Sequence, residues 1–131
     1  MNKHTGSFIA IILLVLAVVA CAGNSLKPPR INLAVGKNEN ADPESTFFKP
    51  GETIYAVATI TNSSSSKVRF KVMHGDTELL RNEVPASSGE PAKYQFTMPE
   101  AGQYKVRASL IGKDGSDLMW TDVSISVSST N

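Results

Sequence analysis

Few side chains in this sequence could carry covalent or acid–base chemistry. Cys21 is the only cysteine among 131 residues, and His4 and His74 are the only histidines. A disulfide bond would need a second cysteine from another chain, a zinc site would need more ligands, and a nucleophile would need a base. His74 adjoins a Gly-Asp turn signal with no nucleophile motif around it, so we predict a solvent-facing turn residue. The sequence therefore predicts neither a Ser-His-Asp triad nor a zinc site.

The acidic residues offer no better catalytic arrangement. The 12 Asp and Glu residues are scattered, mostly in turn-like segments, and none lies inside an apolar run. Glycoside hydrolysis, in contrast, needs two carboxyl groups that flank one bond. The stretch Asp114-Gly115-Ser116-Asp117 lacks the length and the final Glu of an EF-hand loop and is typical of a turn. We therefore expect no enzyme activity, no catalytic residues, no metal site and no cofactor.

The N-terminal segment indicates a different role for Cys21. Residues 8–19 read FIAIILLVLAVV, twelve apolar residues that would span about 18 Å as a helix. A bilayer core is about 30 Å thick, so this run is short for a transmembrane helix. It has the length of the h-region of a signal peptide, and Lys3 with the amino terminus supplies the positive charge that precedes such a region.

The end of this segment, Val18-Val19-Ala20-Cys21, resembles a bacterial lipobox. The resemblance implies that residues 1–20 are a signal peptide, that cleavage falls before Cys21, and that the Cys21 sulfur carries diacylglycerol. The protein would then be lipid-anchored in the bacterial cell envelope. In a Gram-negative organism, Ala22 in place of an Asp after the cysteine implies the outer membrane. The alternative is an ordinary secretory signal cleaved nearby, with Cys21 incidental.

The charge balance argues against nucleic acid as a partner. The chain has 13 Lys and Arg residues against 12 Asp and Glu residues, and removal of Lys3 with the signal peptide leaves 12 of each. No global field then attracts nucleic acid or anionic lipid. Residues 22–30, AGNSLKPPR, are mostly small or polar and include two prolines, a composition typical of a tether. Residues 21–30 are therefore predicted to be a lipidated tether.

From Ile31 onward the apolar residues repeat with a period of two, as in Ile31, Leu33 and Val35. Similar short runs follow, separated by Gly, Pro, Asn and Ser, and no segment after residue 30 shows a helical period. The pattern includes a short strand at Thr77–Leu80 and a loop at Pro85–Pro91. Residues 31–131 are therefore predicted to form one all-β domain, a β-sandwich of seven to eight mostly antiparallel strands.

Two stretches resemble immunoglobulin-like and fibronectin type III-like domains. PEAGQYKVRA, residues 99–108, resembles the entry into their strand F, with Tyr104 at the tyrosine-corner position and Val106 where antibody domains carry a cysteine. PGETIYAVATI, residues 50–60, resembles their strand B, with Ala58 at the other cysteine position. Phe70 lies near the place of their strand-C tryptophan. The resemblance implies an immunoglobulin-like β-sandwich, and such a fold does not name a function.

One set of side chains is predicted to form a binding surface. In the implied fold, strands C, F and G share a sheet, so residues between the core-facing positions of these strands point outward. This places four cations and the only tryptophan on one surface: Arg69, Lys71, Lys105, Arg107 and Trp120. Asp122 is the only acid expected beside them, so the surface would suit an anionic glycan, a phosphate-bearing lipid head group or an acidic protein. The alternative is a solvated face whose Lys and Arg stems cover Trp120.

These patterns favour a non-catalytic envelope lipoprotein that serves as a membrane-anchored binding or structural accessory module. Its partners would be the membrane, through the lipid, and an envelope protein or an anionic glycan. The alternative function is a lipid-anchored inhibitor of a periplasmic or secreted enzyme. Such an inhibitor would present residues 85–91 or 113–117 to an active-site cleft.

Mass spectrometry of the mature protein tests the lipid anchor. We expect the mature chain to begin at Cys21 and to carry diacylglycerol, because stable anchoring needs two or more acyl chains. Cys21→Ser removes the thiol that accepts the lipid, so lipidation and cleavage should both be lost. A mature wild-type protein without lipid would contradict the prediction.

Overall fold

The computed structural model of the chain describes residues 28–63 and 67–129. Cys21, the predicted signal peptide and most of the predicted tether therefore lie outside the described residues. Within the described ranges, no helix is long and apolar enough to cross a membrane. The first strand starts at Arg30.

Eight strands make up the described chain: β1 (Arg30–Gly36), β2 (Phe47–Phe48), β3 (Thr53–Thr61), β4 (Lys67–His74), β5 (Thr77–Pro85), β6 (Pro91–Thr97), β7 (Gly102–Ile111) and β8 (Asp117–Val127). They form a three-stranded sheet, β1-β3-β6, and a five-stranded sheet, β2-β8-β7-β4-β5. All pairings are antiparallel except the short parallel pairing of β2 with β8. This confirms the predicted all-β sandwich of mostly antiparallel strands.

The hydrophobic core lies between the inner faces of the two sheets. Buried and more exposed residues alternate along β3 and β4, as the period-two pattern predicts. In the five-stranded sheet, β4 and β7 lie between other strands and contribute the largest share of fully buried side chains. The inward residues of β3, β4 and β7 are Ile54, Ala56, Ala58, Ile60, Val68, Phe70, Val72, Tyr104, Val106, Ala108 and Leu110.

The tyrosine corner implied by the resemblance is present at the start of β7. The Tyr104 hydroxyl donates a hydrogen bond to the Glu100 carbonyl oxygen at 2.7 Å. Val106 and Ala58, at the two positions where antibody domains carry cysteines, are both buried in the core. Phe70 is buried and stacks on Tyr94 with ring centroids 5.6 Å apart. Apolar packing thus occupies the positions that a disulfide and a tryptophan fill in antibody domains.

The chain passes from one sheet to the other between β1 and β2. Gly36 ends β1, and a Cβ atom at this position would lie 2.6 Å from the Ala41 Cα atom. This approach is too close for any side chain, so glycine is required. Ala41 is buried beneath the crossing, and the chain then reaches β2 beside the C-terminal end of β8.

The region between β4 and β6 differs from the prediction. The strand predicted at Thr77–Leu80 extends to Pro85, and the loop predicted at Pro85–Pro91 shrinks to residues 86–90 between β5 and β6. Charged residues at positions 81 and 83 interrupt the apolar pattern that marked the strand. They are tolerated because β5 is an edge strand whose outer face and free edge meet solvent.

Truncating Phe70 tests the packing of the core. Phe70→Ala should lower the free energy of unfolding by about 3–5 kcal/mol, the usual cost for a buried aromatic side chain. Lys105→Ala changes an exposed side chain on the opposite face of the same sheet and should cost no more than about 0.5 kcal/mol. Thermal or urea unfolding measures both. Equal effects would mean that the inner and outer faces are exchanged.

Candidate functional site

The structure places all five residues of the predicted surface on the outer face of the five-stranded sheet. Arg69 and Lys71 lie on β4, Lys105 and Arg107 on β7, and Trp120 on β8. β7 is hydrogen-bonded between β4 and β8, so the three strands are neighbours as expected. Across β4 and β7, Lys71 is paired with Arg107. We call this surface the outer face.

Acidic side chains pair with the cations of the outer face. Arg69 contacts Glu83 at 2.7 Å and Asp117 at 3.3 Å between side-chain atoms. The Lys71 ammonium lies 3.7 Å from a carboxylate oxygen of Glu78. The expectation that Asp122 is the only acid beside the cations is therefore wrong. Its cause is the pairing of β5 with β4, which brings Glu78 alongside β4, and the extension of β5 to Pro85, which adds Glu83.

Arg107 is held between a carboxylate and an aromatic ring. Its guanidinium donates to both Asp122 oxygens, at 2.7 and 3.1 Å, and its central carbon lies 3.9 Å from the centroid of the Trp120 ring. The hydrogen bond to Asp122 raises the pKa of Arg107. Such a bidentate contact, combined with stacking on a ring, fixes the guanidinium in one orientation. Trp120 in turn has one ring face covered by Arg107, while 53% of the residue is exposed.

Most of the positive charge of the outer face is balanced by these contacts. Within the described residues, five of its cations (Arg69, Lys71, Arg81, Lys105 and Arg107) form ion pairs with four carboxylates (Glu78, Glu83, Asp117 and Asp122), and Lys67 also lies on this face. The hydrogen bond from Arg81 lowers the pKa of Glu78, and that from Arg69 lowers the pKa of Glu83. Both carboxylates therefore stay ionised at neutral pH. The face consequently presents alternating charges in place of a positive patch.

Ser109 is a feature of the outer face that the sequence did not reveal. It lies between Arg69 on β4 and Trp120 on β8, and it is fully buried although it points outward from the sheet. Its Oγ atom has no hydrogen-bond partner among the described residues. A serine at an outward position of an alternating strand is normally solvated, whereas Ser109 is flanked by two long side chains on the neighbouring strands.

A shallow groove of about 350 Å³ adjoins one end of the outer face. The residues that line it include Lys67, Arg69 and Lys113. Its wall is the tight turn between β7 and β8, which is closed by a hydrogen bond from the Gly112 amide to the Ser116 carbonyl. The Asp114 carboxylate accepts hydrogen bonds from the Ser116 hydroxyl and amide, and these bonds lower the pKa of Asp114. Residues 114–116 thus belong to the predicted turn, and β8 starts at Asp117.

His74 lies at the end of β4 beside the turn into β5. It is exposed, and its ring Nδ1 lies 3.1 Å from the Gln103 carbonyl oxygen. Among the residues that the structure describes, no group of three or more His, Cys, Asp or Glu side chains could hold a metal ion.

The fold resembles solved structures at low sequence identity. A CARDB domain of the PF1109 protein from Pyrococcus furiosus, solved in complex with di-metal ions, matches with a TM-score of 0.50 and 13% identity over 79% of this chain and 97% of its own. An engineered protein matches with a TM-score of 0.50 and 16% identity over 77% of this chain, but the match spans only 20% of that protein. No protein-family model and no curated protein matches the sequence. These likenesses establish the β-sandwich fold alone.

The buried Ser109 hydroxyl gives a prediction about stability. Ser109→Ala should raise the free energy of unfolding by about 1 kcal/mol, because it removes a buried polar group that lacks a hydrogen-bond partner. Ser124→Ala, on an exposed site of β8, should leave stability within about 0.5 kcal/mol of the wild type. Chemical denaturation measures both changes. A loss of stability in Ser109→Ala would show that the hydroxyl makes a favourable contact.

Proposed function

We propose that this protein is a non-catalytic lipoprotein of a bacterial cell envelope, anchored through Cys21, and that it acts as a binding or structural accessory module. The anchor rests on the lipobox resemblance and the short apolar run that precedes it. The observation that carries the binding role is the exposed Trp120 ring stacked on Arg107.

Trp120 has the properties of an interaction anchor. Tryptophan and arginine are enriched at the energetic centres of protein interfaces, and a ring that is already oriented loses little entropy on binding. Arg107 is oriented by Asp122, so the pair needs no rearrangement to receive a partner. A large apolar ring left in solvent costs free energy that burial against a partner would recover.

The paired charges favour a protein over an anionic glycan as the partner. An anionic ligand would have to compete with Glu83, Asp117, Glu78 and Asp122 for the same cations. A protein surface with its own alternating charges can instead meet the face without displacing these contacts. The outer face is therefore proposed to bind an envelope protein, with Trp120 near the centre of the contact.

The two segments that could act as inhibitory loops give less support to the inhibitor function than the outer face gives to a binding role. Residues 86–90 connect β5 and β6 and are braced by a bridge between Ser87 and Glu90. Residues 112–116 form a tight turn between β7 and β8. Each segment is only five residues long, whereas an inhibitor of the expected kind would insert a protruding loop into a cleft.

Co-purification from detergent-solubilised envelope tests the proposed function. Proteins captured by the wild-type protein should be reduced at least about tenfold with Trp120→Ala, the loss expected for an interface hot spot. Leu79→Ala is the matched control, because Leu79 is also a large exposed apolar residue but lies on β5, away from Trp120. Quantitative mass spectrometry measures the captured proteins. Equal capture by the two variants would overturn the assignment of the outer face.

The salt dependence of capture separates the two partner classes. A protein partner that leaves the ion pairs intact should be retained when the ionic strength is raised several-fold. An anionic glycan held by the cations would be released, because exposed charges are screened beyond about 8 Å at physiological ionic strength. Release of the partner by salt alone would contradict the proposed protein partner.

A further inference from the structure

One edge of the five-stranded sheet lacks a partner strand for most of its length. β8 is paired with β7 from Asp117 to Val127, but β2 pairs with its other side only at Ser126 and Val127. Within the described ranges, no strand pairs with that side of β8 between Asp117 and Ile125. We call this the open edge.

The direction of the backbone groups at the open edge follows from the pairing with β2. The Ser126 amide donates to the Thr46 carbonyl at 2.8 Å, and the Ser128 amide donates to the Phe48 carbonyl at 2.9 Å. Both amides therefore point to the side of β2. Because peptide groups alternate in direction along a strand, the amide and carbonyl groups of Trp120, Asp122 and Ser124 point to the same side. These groups can receive an added strand.

The core is also incompletely covered along the open edge. Val127 and Ile125, at the end of β8 that β2 joins, are buried. Met119, Thr121 and Val123 face the same way but are only half-buried. An added strand would cover these three side chains and extend the core to the new edge.

Exposed apolar side chains are concentrated at the same place. Among the described residues, four large apolar side chains are exposed, and three of them lie on β8 or β2: Phe47 at 72%, Leu118 at 56% and Trp120 at 53%. The opposite edge strand, β5, has the features that protect an edge from pairing: charged residues, a bulge opposite β4 and a terminal proline. No proline interrupts β8. β8 has its own bulge at Leu118, but from Met119 to Ile125 the open edge has neither a bulge nor a proline.

We propose that the open edge binds a second copy of this chain, with the two β8 strands antiparallel and Thr121 on the twofold axis. In this register Trp120 of each copy is opposite Asp122 of the other, and their outward backbone groups form hydrogen bonds. The two sheets join into one continuous sheet. This inference goes beyond the proposed function and does not depend on the lipid anchor.

The sequence of β8 is complementary to itself in this register. Met119 of one copy is opposite Val123 of the other, so the half-buried inner side chains cover each other. The regular part of β8 from Met119 onward forms this contact, and the bulge at Leu118 ends it before it reaches Phe47, which is opposite Ser126. A register centred on Asp122 would instead place two like charges directly opposite each other, which is unfavourable. The outer faces of the two copies become one surface with a Trp120 on each side of the axis.

Cysteine cross-linking of the purified full-length chain tests this geometry. Thr121 is opposite itself as a non-hydrogen-bonded pair, for which Cα atoms are about 4.5 Å apart, within the range that a disulfide spans. Thr121→Cys should therefore give a disulfide-linked dimer under mild oxidation, at least tenfold above the matched variant Val123→Cys. Two copies of Val123 would be about 13 Å apart along the strands. The wild-type protein, oxidised in the same way, is the control for any dimer that forms through Cys21.

The register has a separate test in mixed variants. Met119→Cys and Val123→Cys should each give little disulfide-linked dimer alone and a strong cross-link when the two proteins are mixed. Equal cross-linking of Thr121→Cys and Val123→Cys would indicate random collision and overturn the proposal. Absence of a Thr121→Cys dimer would overturn it as well.

A proline at the edge tests the role of the outward amides. Ser124→Pro removes an amide that points away from β7, so the pairing of β7 with β8 is kept, and a melting curve checks that the domain still folds. In the Thr121→Cys protein, Ser124→Pro should reduce the dimer at least tenfold, while Ser124→Ala, which keeps the amide, should leave it unchanged. Undiminished cross-linking of a folded Ser124→Pro protein would show that β8 does not pair with β8. Because cross-linking is read without any envelope partner, its failure leaves the co-purification result unaffected.

Discussion

The register of β7 with β4 and β8 is the constraint on which the rest of the sandwich depends. It places Val106 between Val72 and Val123 towards the core, and it places Arg107 between Lys71 and Asp122 on the outer face. Because side chains alternate along a strand, a slip of one residue would exchange these two environments and bury a guanidinium. The hydrogen bond from Tyr104 to the Glu100 carbonyl fixes the chain where β7 begins, and so helps to set this register.

The same register makes the outer face an ordered array of opposite charges. Arg107 is oriented by Asp122 and covers one side of Trp120, and Arg69 is shared between Glu83 and Asp117. Ion pairs at a protein surface contribute little to stability, so their main effect here is to orient the long side chains. The consequence for binding is a surface whose cations are mostly paired and which carries one fixed aromatic ring, a surface that suits a protein partner better than a polyanion.

The alternation of apolar residues was sufficient to predict most strands and the sandwich. In β3, β4 and β7 the period-two pattern is strong, because one face of each strand lies against the core. The strand prediction failed for β5, where few side chains lie against the core. β5 has only Leu80 and Val84 packed against the core and otherwise meets solvent, so the sequence showed a short strand followed by a long loop.

The sequence by itself determined which side chains of β4, β7 and β8 point outward, including Arg69, Lys71 and Trp120, because direction follows from local alternation. It did not determine their partners. Glu78 and Glu83 reach the cations only through the pairing of β5 with β4, and Ser109 lies between Arg69 and Trp120 only through the pairing of β7 with β4 and β8. The open edge of β8 is likewise a property of strand order. The local sequence pattern fixes the direction in which each side chain of a strand points. The contacts that the side chain makes depend on which strands pair across the sheet, and only the tertiary structure decides that pairing.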